Sequence, residues 1–247
     1  MRPRVLVVQN APWEGPGLIA SYARAAGIDL CVSQLFRRSG NASELPFAEL
    51  EAGSFVAVVA LGSPSTAYLP KTNPRHAELV RLFVLLRELR IPSFDVCYSM
   101  QLFCIAHGGK VIRNRAGKEV GFFEVSLTPE GDSDSVVGPV GAFSTLQWHG
   151  DIVEELPRGA VLLASSAKTK NQVAVVDGVH YLVQSDGQAV EPRMVRSWLK
   201  HDGKWALEGT GVKTGSLVRQ AIDGQAYFRN TFLRIFGNFL GLAIRHD

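Results

Sequence analysis

Ile91-Pro92-Ser93-Phe94-Asp95-Val96-Cys97-Tyr98-Ser99-Met100-Gln101 is the stretch on which the reading of this 247-residue chain turns. An apolar run ends in a cysteine, and Met100, Leu102, Phe103, Ile105 and Ala106 then follow in a helical pattern. A strand that gives way to a helix at one residue must turn sharply there. Cys97 is therefore expected on a nucleophile elbow, lifted clear of a sheet and aimed at a helix N-terminus, where free N–H groups favour a thiolate and hold an oxyanion. The plainer role for such a cysteine is a small buried core residue, and Cys31 and Cys104 are read that way.

Outward from this stretch the chain alternates strands and helices. Arg4 to Gln9 (RVLVVQ) and Phe55 to Leu61 (FVAVVAL) are continuous apolar runs, the pattern of strands covered on both faces. A Gly/Pro-rich connection, Pro12 to Gly17, leads to a short helix over Leu18 to Ala26 with Gly27 as its C-cap, and Ile28 to Ser33 reads as the next strand. Ala48 to Gly53 is a brief helical or loop segment. The Phe55 strand ends in Gly62-Ser63-Pro64-Ser65, a turn whose small residues let backbone N–H groups approach a ligand. His76 to Leu89 is an amphipathic helix that Ile91-Pro92 stops. From Lys110 hairpin signals take over: Val111-Ile112, a turn at Asn114 to Gly117, Glu119 to Thr128, a polar loop at Pro129 to Ser135, then strands at Ala160 to Ser165, Asn171 to Val176 and Val179 to Gln184 around Asp177-Gly178. Glu191 to Lys200 reads as a helix, and Gly215 to Ile244 as a helix pair packed back on the sheet. The expected fold is α/β: a mostly parallel open sheet with helices on both faces and an added antiparallel hairpin region. Residues 1–247 are expected to form one domain, with 189–247 packed on it.

Composition narrows the function. Basic and acidic residues are interspersed at a net charge of +3, and no aromatic-basic stripe suits a nucleic acid. Neither a 20-residue apolar run nor a signal peptide is present, so a soluble, cytoplasmic protein is expected, with no membrane partner. The three cysteines lack metal-ligand spacing, no G-x-G-x-x-G follows the first strand, and no P-loop occurs; neither a metal nor an organic cofactor is called for.

Seven landmarks in order resemble the class I (Cys-type, triad) glutamine amidotransferases, in a stand-alone form similar to the glutaminase domain of GMP synthetase. They are Leu61-Gly62-Ser63-Pro64, Ile91-Pro92 through Gln101-Leu102, Gly108-Gly109-Lys110-Val111, Lys118-Glu119-Val120-Gly121, Trp148-His149-Gly150-Asp151, Asn171-Gln172-Val173-Ala174 and Tyr181-Leu182-Val183-Gln184. The resemblance, which spans residues 4 to 200, implies a flavodoxin-like fold, Cys97 as nucleophile, backbone N–H groups of Tyr98 and Ser63 as oxyanion donors beside Gly62, and Gln101 and Trp148 at the substrate pocket.

The resemblance fails at the base. Where the family has F-H-P-E this chain has Ser185-Asp186-Gly187-Gln188, so Asp186 replaces the histidine and Gln188 the glutamate. Asp95 and Ser99 replace the two elbow glycines, and Ser63 replaces the second glycine of the oxyanion turn. An ionised Asp186 beside Cys97 raises the thiol pKa rather than lowering it, so ordinary glutaminase turnover is expected to be weak or absent. His149 is a candidate imidazole from another strand; a protonated Asp186, or Asp95, are candidate acids on a different substrate. His76, His107, His180, His201 and His246 are read as surface or capping residues. Three functions are open: an enzyme repurposed for another amide or C–N bond, such as a γ-glutamyl amine or peptide; a degenerate homologue that binds or regulates; and a glutaminase subunit serving a partner synthetase. The candidate partners are a small-molecule substrate, such a synthetase, or a second copy of the chain.

Overall fold

A computed structural model describes residues 2–36 and 45–246. The first half follows the expected alternation: β1 (Arg4–Gln9), α1 (Leu18–Ala26), β2 (Asp29–Gln34), α2 (Phe47–Glu51), β3 (Ala57–Ala60), α3 (His76–Glu88), β4 (Ser93–Val96) and α4 (Tyr98–Ala106). The second half is richer in strands: β5 (Lys110–Arg113), β6 (Glu119–Leu127), α5 (Pro129–Ser133), β7 (Phe143–His149), β8 (Asp151–Glu155), β9 (Ala160–Ser165), β10 (Val173–Val176) and β11 (His180–Val183). Three helices finish the chain: α6 (Pro192–Leu207), α7 (Thr214–Asp223) and α8 (Gln225–His246).

The main sheet runs β2-β1-β3-β4-β11-β10-β9-β6-β7, and β5 pairs β8 apart from it. Pairing is parallel from β2 to β11 and antiparallel from there to β7. This is the expected mixed α/β sheet with its hairpin extension. The apolar runs have the physical cause inferred for them, because alternate residues of one strand serve two cores. Val5 and Val7 face the layer that holds α1 and α8, whereas Leu6 and Val8 face α3 and α4. Gly27 caps α1 as expected, at φ 67° with its N–H on the Ala23 carbonyl.

Three segments differ from the reading. Pro129–Ser133 is a short helix rather than a loop, since the Thr128 hydroxyl accepts from the Gly131 N–H as an N-cap. Residues 143–155 form two strands, β7 and β8, which the hairpin reading of the sequence did not include; Gly150 separates them and masks the run. The α6 helix continues to Leu207, past the expected end at Lys200 and through Gly203. His180 is also no surface residue. It is fully buried, its Nδ1 lies 3.0 Å from Ser93 Oγ, and burial pushes its pKa down to about 4.

The tail reaches the middle of the sheet. Phe94 on β4 meets Phe232, Phe236 and Phe239 of α8 at ring separations of 6.3, 5.7 and 5.3 Å. Behind residue 187 the fit is so close that a Cβ there would stand 2.6 Å from the Phe232 ring, so the segment after β11 needs Gly187. No helix among the described residues is long and apolar enough to cross a membrane.

Between β4 and α4 the backbone of Cys97 sits at φ 51°, ψ −109°, a conformation that costs a non-glycine residue about 1–3 kcal/mol. The Cys97 N–H on the Val183 carbonyl (2.8 Å) and the Gln101 N–H on the Cys97 carbonyl (3.0 Å) hold it there. Relief of this strain reverses the usual order of substitutions: Cys97→Gly is expected to be more stable than Cys97→Ala by about 1 kcal/mol in urea denaturation. A more stable alanine variant would show that the elbow carries no strain.

Candidate active site

The elbow opens into a cavity of about 550 Å³. Cys97, Tyr98 and Gln101 reach it from the β4–α4 turn, Ser63 from the turn after β3, and Trp148, His149 and Asp151 from the β7–β8 corner. Asp186 enters from the turn after β11, where its N–H binds the Leu146 carbonyl at 2.8 Å. These residues, far apart in sequence, are brought together as the landmarks implied. Trp148 gives its indole N–H to Asp202 Oδ2 at 2.9 Å.

Other candidates stand behind the wall. The Ser99 hydroxyl donates to the Leu61 carbonyl at 2.6 Å, a carbonyl that also accepts from Asn10 Nδ2 at 2.7 Å, so Ser99 ties the elbow to the end of β3. Asp95 is fully buried on the α4 side, where Ser93 Oγ donates to it at 2.6 Å and burial raises its pKa well above the carboxylate range. It is placed as a core carboxylic acid rather than as a group facing substrate. Gln188 Nε2 lies 3.4 Å from Asp186 Oδ1 and orients that carboxyl.

His149 lines the cavity, but both ring nitrogens are taken. Nδ1 lies 3.2 Å from the Asp151 carbonyl, and Nε2 lies 3.1 Å from Gln147 Oε1 and 3.3 Å from Glu119 Oε2. Burial works to raise the Glu119 pKa, yet hydrogen bonds from His149, Thr169 and Ser166 outweigh it and hold the carboxylate below its ordinary value. The imidazole thus belongs to a buried pair and does not stand free beside Cys97. Amide side chains link the two regions: Gln184 Nε2 donates to Cys97 Sγ at 3.5 Å, and Gln101 Nε2 donates to Gln184 Oε1 at 3.2 Å and to the Asp151 carbonyl at 2.9 Å.

The residue that sequence reasoning missed is Glu14. It comes from the Gly/Pro-rich loop after β1, read only as a connection, and no local motif marks it. A Cβ placed on Gly62 would lie 2.5 Å from Glu14 Oε2, 3.5 Å from Asp186 Oδ1 and 3.6 Å from Cys97 Cβ. Gly62 therefore leaves the space in which two carboxyls and the thiol converge, and a side chain there would fill it.

Electrostatics follow from that crowding. Asp186 is 1% exposed, and burial, opposed only by the Gln188 hydrogen bond, pushes its pKa up to about 8. Burial also raises Glu14 well above the carboxylate range, helped by the charges of Asp186 and Asp202. The Cys97 thiol is raised by burial first and then by Asp186 and Glu14, against the lowering effect of the Tyr98 N–H. Near neutral pH Asp186 and the Cys97 thiol thus hold their protons for the most part. Chemically it offers a neutral thiol beside a carboxyl whose proton affinity has been moved into the range of an imidazole.

A carboxyl that binds its proton more tightly folded than unfolded costs stability once pH exceeds its unfolded pKa. For Asp186 this penalty grows from about pH 4 and levels off above its folded value near 8. Asp186→Asn is therefore expected to be more stable than the wild type at pH 8 by urea denaturation, with the difference shrinking toward pH 4. A difference independent of pH would contradict the raised pKa.

Comparison with known proteins agrees with this geometry. The family model described as glutamine amidotransferase class-I matches residues 51–181. Among curated proteins, the GMP synthase [glutamine-hydrolyzing] of Corynebacterium glutamicum is 28% identical over 222 residues, which are 85% of this chain but 38% of that protein. The chain thus spans less than half the length of this relative. Among solved structures, a glutamine amidotransferase from Thermotoga maritima superposes with a TM-score of 0.83 at 22% identity, covering 97% of this chain and 98% of that one. A glutamine amido transferase from Methylobacillus flagellatus gives the same TM-score at 21% identity, covering 98% and 95%. With the matched residues running from α2 to β11 through the elbow, the chain belongs to the class I glutamine amidotransferases.

Proposed function

We propose that this chain is a Cys97-dependent enzyme that cleaves an amide, or another C–N bond, of a γ-glutamyl-type small molecule, with Asp186 doing the proton transfers that the family assigns to histidine. The observation that carries the reading is the retained elbow: Cys97 is held at φ 51° in the wall of a cavity, with Asp186 across Gly62 from it. A strained backbone persists only where its surroundings enforce it, and such strain clusters at active sites.

The steps balance without a cofactor. Sγ of Cys97 bonds to the amide carbon as the thiol proton passes to the Asp186 carboxylate, and the oxyanion takes hydrogen bonds from the Tyr98 and Ser63 N–H groups. The C–N bond then breaks, and Asp186 returns the proton to the departing amine. Water, deprotonated by Asp186, attacks the thioester; the carboxylate product leaves and sulfur recovers the proton. An ordinary carboxylate is several units too weak a base for this; raising Asp186 to about 8 narrows that gap, while burial raises the Cys97 thiol as well and keeps the transfer uphill. The ionised fraction of Asp186 is small at neutral pH, so turnover should rise through pH 8, and glutamine itself should be a poor substrate.

A second reading rests on the raised thiol. If the Cys97 pKa stays high with ligand bound, the chain is a binding or regulatory relative without turnover. A third, a glutaminase subunit with a partner synthetase, draws on the relatives named GMP synthase [glutamine-hydrolyzing] and needs a working base.

Assays of a γ-glutamyl anilide and of glutamine separate these readings. The wild type is expected to hydrolyse the anilide, with the rate rising toward pH 8, and both Cys97→Ser and Asp186→Asn should lower kcat/KM by about 10²-fold or more. Restoring the family pair in Asp186→His/Gln188→Glu should raise glutamine turnover at least tenfold. A folded wild type that turns over neither compound, and whose Cys97 is labelled by a glutamine-like chloroketone no faster than Cys31, would leave the binding reading standing.

A further inference from the structure

We propose that the part of the cavity beyond Asp186, as seen from Cys97, is a binding site for a protonated organic amine, so that the amine side of the substrate carries an alkylammonium group. The inference rests on the proposed function only in assigning this region to the leaving group: Asp186 returns the proton to the departing amine, so whatever lies next to Asp186 lies next to that amine.

Three carboxyls run away from the nucleophile. Asp186 and Glu14 meet at Gly62, their nearer oxygens 3.5 and 2.5 Å from the same point, and Glu14 in turn feels the charge of Asp202 on α6. Glu14 is 8% exposed and lines the cavity, and no cation is among the groups that set its pKa. Asp186 Oδ2 is buried without a partner. Buried carboxyls are normally paired with a cation or fully hydrogen-bonded, and two that face one cavity without a cation mark the place of a missing positive group. No basic side chain of the described residues acts on Glu14 or Asp186. Lys118 is turned to the carbonyls of Trp205 and Glu208 and its charge acts on Asp202, and Arg113 has its influence on Asp151 and Tyr68.

The walls define what kind of cation fits. Trp148, Trp198 and Trp205 line the cavity, the first two beside Asp202, and two of their N–H groups are already spent, on Asp202 and on the Trp13 carbonyl. The remaining surface is apolar ring, suited to methylene groups and to a cation on an aromatic face. Lys118 Nζ already sits 4.7 Å from the Trp205 ring centroid in this way. No three of the described His, Cys, Asp and Glu side chains are grouped to hold a metal ion, so the geometry favours an organic ammonium. The loop that carries Glu14 is fixed to α6 by the Trp198–Trp13 hydrogen bond and by the Trp13–His201 stack, with rings 5.1 Å apart. The site is thus built by α6 together with the β1 loop.

Binding of a cation makes ionised Glu14 and Asp186 favourable, so it must release protons. The other titratable groups facing the region are Asp202 and His201 of α6, Lys118, Arg113, Asp151, Cys97 and the His149–Glu119 pair. Calorimetry with 1,4-diaminobutane as the probe, in two buffers of different protonation enthalpy, reads this directly. The diamine is expected to bind both the wild type and Cys97→Ser, releasing about one proton at pH 7 and binding roughly fiftyfold more tightly at pH 8 than at pH 6. Glu14→Gln should weaken it at least tenfold, with Asp202→Asn as a second variant should the first not fold. Equal affinity for 1,4-butanediol, tighter binding of butyrate through Arg113 and Lys118, or diamine binding unchanged in Glu14→Gln would each overturn the proposal. Because Cys97→Ser serves for binding, failure of the nucleophile and failure of the amine site give different results.

Discussion

The structure depends on one residue held in a backbone conformation that side chains avoid. Cys97 stands at φ 51° because its N–H is fixed to the end of β11 and its carbonyl opens the first turn of α4. The constraint propagates on both sides. Ser99 and Asn10 share the Leu61 carbonyl and so clamp the ends of β1, β3 and the elbow together, which places Gly62 against the thiol. On the opposite face of the sheet, α8 presses Phe232 onto Gly187 and fixes the turn from which Asp186 projects. The C-terminal helices thus support the site rather than ornament the fold.

Much of this was legible in sequence because it was local. Continuous apolar runs announced strands covered on both faces, and a cysteine between a strand and a helical pattern announced the elbow. What was not legible depended on distant packing. Glu14 lies in a Gly/Pro-rich loop that gives no hint of meeting Asp186, and Gly62 links them only in three dimensions. Trp205 and Asp202 lay beyond the expected end of α6, since Gly203 interrupts the helical pattern that in fact continues. His180 showed the same limit, for a histidine in a hairpin reads as exposed until helices are packed over it. The role of His149 changed too: as a lone histidine at a pocket it was a candidate base, yet Glu119, Gln147 and the Asp151 carbonyl occupy its ring.

Replacement of histidine by aspartate leaves a coherent chemical environment when the surroundings are considered. In water a carboxylate is a poor match for a thiol, but burial and crowding move both Asp186 and Glu14 upward, and the same burial moves Cys97. The site holds its protons more tightly than an imidazole pair would, and it lacks the built-in cation that a protonated histidine provides. A substrate that brings its own positive charge would supply it, which connects the base proposed at Asp186 to the acidic side of the tryptophan-lined cavity.

The most direct test of this account is infrared difference spectroscopy of the wild type against Asp186→Asn between pH 5 and 9. The account predicts a carbonyl stretch of a protonated carboxylic acid, absent from the variant, that disappears with a midpoint near 8. A carboxylate band already complete at pH 5 would contradict it, because Asp186 would then be an ordinary charged residue beside Cys97 and no base for its thiol.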